Sequence, residues 1–203
     1  MPTSLRLLSV DAQAFSGDRA ALARAMSMAA PDVVCVHSSP HLLRWRSISA
    51  ALARRAGLVV VGGGRPAGAN LLLSTLRVDV DAVRDLSFTG HRCTRAGAAL
   101  AALHVGACGF VVTSATLARD AAERRAQAGE LQSALDRLVP GERPVIISVA
   151  GVEHPDGAAR HPLAEDRVAV AGGICVDRRI AVSAVSEPPA ATDRMVLVDL
   201  ALP

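Results

Sequence analysis

The 203-residue chain contains no lysine and no tyrosine, so all 22 of its basic residues are arginines. A Walker-type phosphate loop and Schiff-base catalysis both need a lysine, and these are therefore excluded. A tyrosine nucleophile is excluded as well. These absences remove several large classes of enzyme. The abundance of alanine and arginine is typical of a bacterial genome of high GC content and carries no functional meaning.

Aromatic residues make up only 2% of the chain, namely Trp45 and three phenylalanines. Proteins that bind single strands interleave aromatic stacking platforms with basic residues, and this chain has too few aromatics to build one. The net charge is only +3, and the arginines are distributed among 19 acidic residues. Nucleic-acid binding is therefore not indicated.

The four cysteines form no C-x-x-C pair, and the chain has no apolar run of about 18 residues. Cys35, Cys108 and Cys175 lie inside short apolar runs. We interpret them as buried thiols of a reducing cytosol rather than as zinc ligands. The N-terminal segment is too poor in apolar residues for a signal peptide. We therefore expect a cytoplasmic protein that does not contact a membrane.

Short apolar runs rich in valine, leucine and isoleucine alternate with three amphipathic patterns. The amphipathic patterns predict helices at 17–29, 42–56 and 117–138. The apolar runs predict strands at 5–10, 33–36, 58–61, 70–78, 98–105, 109–113, 145–149, 179–185 and 195–202. Nine strands with few helices favour an α/β fold in which a two-layer β-sandwich is flanked by helices. The length and the absence of a linker predict one domain over residues 1–203.

Two local features have an alternative functional interpretation. The glycine run at 62–64 could hold a phosphate through backbone N–H groups, although we favour a turn between strands. Asp79 and Asp81 lie on one face of a predicted strand and could bind a cation, although we favour a solvated strand face.

Five segments carry motifs in a consistent order. LRLLSVD and PDVVCVHSS are similar to the first two strands of a known family. In that family the first strand ends in Asn, and the second has the form D-x-V-x-L-Q-E. GFVVTSATLARDAAERRAQAGEL matches a T-H-L strand followed by an E-R-x-x-Q helix. RPVIISVAGVEHP and ATDRMVLVDLALP match a G-D-F-N strand and a final strand that opens with S-D-H. Together these segments resemble the endonuclease/exonuclease/phosphatase (DNase I-like) superfamily, which implies a four-layer α/β/β/α sandwich.

The resemblance also implies a chemistry. In that family a Glu holds Mg²⁺, and the Asp of G-D-F-N activates the attacking water while its Asn orients the phosphate. The His of S-D-H stabilises the charge that develops. In this chain Ser38 stands at the position of the Glu, Thr116 at the His of T-H-L, and VAGV at 149–152 replaces G-D-F-N. We therefore expect a catalytically degenerate member that needs no cofactor.

Three hypotheses for the function remain open. In the first, the protein binds a small anionic or phosphorylated ligand without turning it over, with two arginines as fork donors. The ligand-binding candidates are Ser38, Asn70, His91, Arg92 and Arg194. The alternative for Asn70 is that its side chain caps a turn.

In the second hypothesis, the protein is a divergent Mg²⁺-dependent phosphoesterase with a rebuilt site. Its candidate catalytic residues are Asp11, Glu153, His154 and Asp193, of which Asp11 is also the candidate metal ligand. In the third, the chain has a structural or regulatory role as a subunit that pairs with an active relative as its protein partner, either through the edge of the two sheets or through the helix predicted at 42–56, with Trp45 as a hot spot. A serine hydrolase built on Asp11, His37 and Ser38 is disfavoured, because adjacent strand residues point to opposite faces.

Overall fold

The computed structural model describes residues 2–13, 17–40, 43–89, 96–138, 143–150, 163, 167–188 and 195–203. These residues form twelve strands and three α-helices. In chain order they are β1 (Thr3–Asp11), α1 (Arg19–Ala29), β2 (Val33–His37), α2 (Trp45–Arg55), β3 (Val59–Gly64), β4 (Asn70–Ser74), β5 (Asp79–Ser87), β6 (Gly97–Val105), β7 (Cys108–Thr116), α3 (Ala121–Leu138), β8 (Val145–Ala150), β9 (Arg167–Ala169), β10 (Ile174–Asp177), β11 (Ala181–Ser186) and β12 (Met195–Leu202).

The strands form two six-stranded sheets. The first sheet has the order β11-β12-β1-β2-β4-β3, and the second has the order β5-β6-β7-β8-β10-β9. In each sheet one central pair is parallel, β1 with β2 and β7 with β8, and the other pairs are antiparallel. A parallel pair needs a crossover connection, which α1 supplies in the first sheet and α3 in the second. The two sheets therefore have the same topology, in which a helix connects the two parallel central strands and antiparallel strands lie on either side.

Three apolar clusters hold four layers together. The inner faces of the two sheets enclose one cluster around Leu7, Phe110 and Val198. A second cluster lies between the first sheet and helices α1 and α2, and a third lies between the second sheet and α3. This is an α/β/β/α sandwich, so the predicted fold class is confirmed.

Local sequence determines where the helices begin. The Asp18 carboxylate accepts hydrogen bonds from the backbone N–H groups of Ala20 and Ala21, which caps α1. The Asp120 carboxylate does the same for α3 through the N–H groups of Ala122 and Glu123. No helix of the described chain is long and apolar enough to cross a bilayer.

The strand predictions were wrong in two places. The strand predicted at 70–78 is too long, because β4 ends at Ser74 and a turn follows, and the strand β5 (Asp79–Ser87) was missed. The edge strand β5 lies mostly exposed, and its sequence DVDAVRDLS therefore lacks an apolar run. The short strands β9 and β10 were also missed.

Candidate functional site

Several strands bring polar side chains to one end of the sandwich. Asp11 and His37 are paired neighbours at the ends of β1 and β2, and Thr116 and Ala150 are paired at the ends of β7 and β8. Asn70 begins the antiparallel strand β4 at the same end. We call this end the strand-end site. Its described polar residues are Ser9, Asp11, His37, Ser38, Asn70, Ser114, Thr116 and Ser148.

His37 lies at the centre of the strand-end site and is only 3% exposed. Its Nδ1 atom lies 3.1 Å from Asn70 Oδ1, and its Nε2 atom lies 2.8 Å from Ser148 Oγ. Ser9 Oγ lies 2.9 Å from Ser148 Oγ. The imidazole therefore joins β2 and β4 of the first sheet to β8 of the second.

Asn70 determines which nitrogen of His37 carries the proton. The Asn70 amide nitrogen donates to the carbonyl oxygens of Ala67 at 2.8 Å and Gly97 at 3.0 Å, so its oxygen faces His37. An amide oxygen only accepts, and His37 Nδ1 must therefore carry hydrogen. Nε2 is then the acceptor for the hydroxyl of Ser148.

The His37 imidazole is neutral. Burial lowers the pKa of His37 below its ordinary value, and this effect outweighs the hydrogen bond to Asn70 and the charge of Asp11, which both raise it. A protonated ring would also have a hydrogen on Nε2, which would displace the Ser148 hydroxyl from its donor role. The hydrogen bonds around His37 therefore require its neutral form.

Asn70 is fully buried and caps the turn that precedes β4. Its oxygen accepts a second hydrogen bond, from Thr116 Oγ1 at 3.0 Å. The bond to Gly97 links the turn to the first residue of β6 in the other sheet. These contacts match the turn-capping alternative for Asn70, and its role toward a ligand stays a prediction.

Asp11 is the only carboxylate among the described residues of the strand-end site. It is half-buried, and its Oδ1 atom accepts a hydrogen bond from the backbone N–H of Gln13 at 3.1 Å. Ser38 directly follows β2 in the left-handed backbone region, with φ of 52°, and is also half-buried. The backbone around it is fixed by Ser39 N–H, which donates to Ala69 O at 2.7 Å.

Magnesium needs several oxygen ligands, of which carboxylates are the usual protein donors. The described part of the strand-end site offers one carboxylate, while the hydroxyls of Ser9, Thr116 and Ser148 and the amide of Asn70 lie in hydrogen bonds of the network around His37. Among the described residues, no group of three or more histidine, cysteine or acidic side chains could hold a metal ion. This part of the site does not fit Mg²⁺.

The remaining candidates lie outside the described residues. They are His91, Arg92, Glu153, His154, Asp193 and Arg194. Their functional roles therefore stay predictions.

The sequence matches no protein-family model and no curated protein. Solved structures nevertheless share its architecture. The catalytic domain of human Nocturnin, which holds a sulfate anion, superposes with a TM-score of 0.71 at 14% identity, covering 98% of this chain and 96% of that one. An endonuclease/exonuclease/phosphatase from Bacteroides vulgatus gives 0.70 at 14% identity, with 99% and 100% covered. TDP2 from D. rerio, complexed with a single-stranded DNA product, gives 0.65 at 10% identity, with 98% and 99% covered.

The chain has the endonuclease/exonuclease/phosphatase fold. The resemblance drawn from the five sequence segments is therefore confirmed at the level of the fold.

The E-R-x-x-Q segment of this fold has a structural role in the chain. Gln127 is 1% exposed, and its Oε1 atom accepts a hydrogen bond from Ala118 N–H at 2.7 Å. Glu123 accepts a hydrogen bond from the Gln127 side-chain nitrogen at 3.3 Å. Helix α3 thereby fixes the segment that follows β7, and with it the position of Thr116 at the strand-end site.

The hydrogen bonds among Ser148, His37 and Asn70 have the order of a catalytic triad, in which a nucleophile contacts a base and a third residue orients that base. Ser148, however, is fully buried between the sheets, and its hydroxyl lies within hydrogen-bond distance of Ser9 as well. A nucleophile must reach a substrate atom, which a group enclosed in this way cannot do. We therefore interpret this set of residues as structural.

The glycines at 62–64 make packing contacts and a hydrogen bond within the protein. Gly63 N–H donates to the Asp85 carboxylate, whose pKa is raised mainly by burial. Gly64 has φ of 87°, and a Cβ there would collide with the ring of Trp45. These contacts match a strand and its turn, because the N–H of Gly63 already has a protein acceptor.

Asp79 and Asp81 lie at the opposite end of the sandwich from the strand-end site and flank His104. Their carboxylates approach the imidazole nitrogens at 3.4 Å and 3.0 Å. Asp81 also pairs with Arg143, whose hydrogen bond is the main cause of the lowered pKa of Asp81. The two carboxylates are thus paired with cationic or titratable protein groups, which does not favour a cation site.

Proposed function

We propose that this chain is a catalytically inactive protein of the endonuclease/exonuclease/phosphatase fold that binds a small phosphate-bearing anion at the strand-end site. The observation that carries the proposal is the neutral network around His37. Where the resemblance places the Glu and the His of T-H-L, the described chain has the hydroxyls of Ser38 and Thr116, and the Thr116 hydroxyl donates to the amide oxygen of Asn70.

Three positions support the loss of hydrolysis. Thr116 donates its hydroxyl proton to Asn70 and replaces an imidazole. Ala150 ends β8 where the family carries the water-activating Asp, and a methyl group cannot accept a proton. In the family an Asp of another strand braces the His of S-D-H, and the resemblance places it in the segment AGG at 171–173, which is a turn in which Gly173 has φ of 76°. Removing one catalytic group of this kind costs roughly 10³-fold in rate, so several losses leave little activity.

Binding of an anion is supported by the surroundings of the site. Arg65 and Arg119 are exposed and follow β3 and β7 at the same end of the sandwich. Arg92 and Arg194 lie outside the described residues; the resemblance places Arg92 in a segment like the family's substrate-side R-G-x-L strand and Arg194 beside the final S-D-H motif, and we propose both as further guanidinium donors. A guanidinium fork binds phosphate through two parallel hydrogen bonds and needs no metal to do so. The sulfate held by the human Nocturnin domain is consistent with anion binding by this fold.

We also propose that the protein works in a reducing compartment such as the cytoplasm. Cys35, Cys108 and Cys175 form no disulfide. Burial raises the pKa of Cys35 and of Cys175 to about 12, which keeps both thiols protonated and unreactive.

The test measures binding and turnover separately. Calorimetric titration with pyrophosphate in the presence of EDTA is expected to show binding that is weakened in an Arg92→Gln, Arg194→Gln variant. Arg137→Gln, which removes an exposed arginine of α3, is the matched control and is expected to bind normally. Absence of pyrophosphate binding would contradict the proposed ligand class.

Turnover is measured with a phosphodiester, a phosphomonoester, plasmid DNA and RNA in the presence of Mg²⁺ or Mn²⁺. We expect none. Metal-dependent hydrolysis that is lost in Asp11→Ala would contradict inactivity. It would favour the rebuilt phosphoesterase with Glu153, His154 and Asp193.

A further inference from the structure

The helical layer on the first sheet concentrates positive charge. Residues 12–78 contain eight arginines and two acidic residues, whereas the rest of the chain contains fourteen arginines and seventeen acidic residues. Six of the eight lie exposed on α1, on α2 or at the start of α2. They are Arg19, Arg24, Arg44, Arg46, Arg54 and Arg55. The even distribution of arginines inferred from the sequence therefore does not hold on this surface.

A groove of about 260 Å³ lies between α1 and α2 within this basic surface. We call it the α1–α2 groove. Its floor is apolar and its rim carries guanidinium groups. The lining residues are Arg19, Arg44, Ser47, Ile48, Ala51, Leu52 and Arg55.

The lining residues of α2 have the spacing of a helix-contact stripe. From Arg44 they follow at three, four, seven, eight and eleven residues, which places them on one side of the helix. The side chains between the two terminal arginines are apolar or small, and Ser47 and Ala51 allow a second backbone to approach closely. Four of these side chains are exposed, whereas Ile48 is half-buried and Leu52 is buried at the bottom of the groove.

We propose that the α1–α2 groove binds an acidic amphipathic helix of a partner protein. Arg44 and Arg55 are about 16 Å apart along the helix axis, which is three helical turns. A bound helix of that length would place apolar side chains against Ile48 and Ala51. Its terminal carboxylates would accept hydrogen bonds from the two arginines.

The shape of the α1–α2 groove favours a peptide over the other anionic partners of a basic surface. A nucleic-acid backbone carries charge along its whole length and has no use for an apolar floor between two arginines. A bilayer surface is flat and cannot enter a groove. The surface is distinct from the strand-end site, so the inference does not depend on the anion proposed there.

The probe is a fluorescein-labelled, hydrocarbon-stapled peptide of about four turns. It has Glu at both ends, three turns apart, and Leu at alternating three- and four-residue spacing between them. We expect saturable binding by fluorescence anisotropy. An Arg44→Gln, Arg55→Gln variant is expected to bind at least about tenfold more weakly, because two charged hydrogen bonds are lost.

Three controls make the result decisive. An Arg125→Gln, Arg137→Gln variant removes the same charge from the exposed face of α3 and is expected to bind as the wild type does. A peptide with Ser in place of Leu is expected to bind at least about tenfold more weakly, since the apolar floor is then unused. Circular dichroism checks that each variant is folded.

No binding of the Glu and Leu peptide would overturn the proposal. Equal binding of the Ser peptide would overturn it too, because charge alone would then explain the affinity. Association with duplex DNA or with phosphatidylserine vesicles through Arg44 and Arg55, without peptide binding, would identify a different partner and would also overturn it.

Discussion

Protonation of His37 is predicted to make the fold sensitive to mild acid. The folded protein holds this imidazole neutral with a lowered pKa, whereas the unfolded chain has an ordinary histidine with a pKa of about 6.5. Below that value the unfolded state binds a proton that the folded state does not. The free energy of unfolding therefore falls as the pH falls, by about 1.4 kcal/mol per pH unit until the lowered pKa is reached.

The matched variant is His37→Gln, which places a neutral amide at the centre of the network and removes the titration. Between about pH 7.5 and 5.5, the free energy of unfolding of the wild type, measured in urea, is expected to fall by up to about 1.4 kcal/mol, a loss that the variant does not show. The carboxylates with lowered pKa values, those of Asp18, Asp81 and Asp177, remain ionised in this range and do not contribute.

His104→Gln is the control, because this imidazole lies far from the strand-end site and is not enclosed between the sheets. The free energy of unfolding of His104→Gln is expected to fall between about pH 7.5 and 5.5 as it does in the wild type, because His37 is still present. An identical pH dependence in the wild type and in His37→Gln would show that His37 does not lie in the folded state as a buried neutral group.

Further predictions concern stability measured by urea unfolding. Gly64→Ala is expected to cost about 2–3 kcal/mol, because the new Cβ collides with Trp45 and the residue needs a positive φ, whereas Gly129→Ala in the open interior of α3 should gain about 0.5–1 kcal/mol; equal effects would contradict the packing described. Asn70→Ala is expected to cost about 3 kcal/mol or more, because it leaves buried carbonyl groups without donors, and a loss below about 1 kcal/mol would show that the turn does not depend on it. Asp32→Ala is expected to cost about 2 kcal/mol, because its carboxylate is buried and accepts hydrogen bonds from the backbone of β1 and from a guanidinium; a change within about 0.5 kcal/mol would contradict this.

The sequence predicted the layers of the fold well because buried elements have clear apolar patterns. The strand at 195–202 was predicted with the bounds that the structure shows, and α1 begins within two residues of its predicted start. Edge strands were the weak point. β5 alternates between exposed and half-buried residues, so its apolar content is too low to distinguish it from a loop.

The strand-end site was only partly predictable. The motifs predict Ser38 at the position of the family's Glu and Thr116 at that of its His, and both assignments stay predictions. The pairing of His37 with Ser148 was not predictable, because the two residues are 111 positions apart and lie in different sheets. The role of Gln127 could have been found, since the E-R-x-x-Q motif was recognised. The basic surface also had a signal in the sequence, because residues 33–78 contain six arginines and no acidic residue.

Titration of Mn²⁺, followed by electron paramagnetic resonance of the free ion, tests whether the strand-end site binds a divalent metal. We expect an equimolar amount of the protein to leave the free Mn²⁺ signal unchanged, because Asp11 and a neutral hydrogen-bonded network do not form a divalent-metal site. A loss of signal that Mg²⁺ reverses and that is absent in Asp11→Asn would contradict the account and would show a working metal centre at the strand-end site.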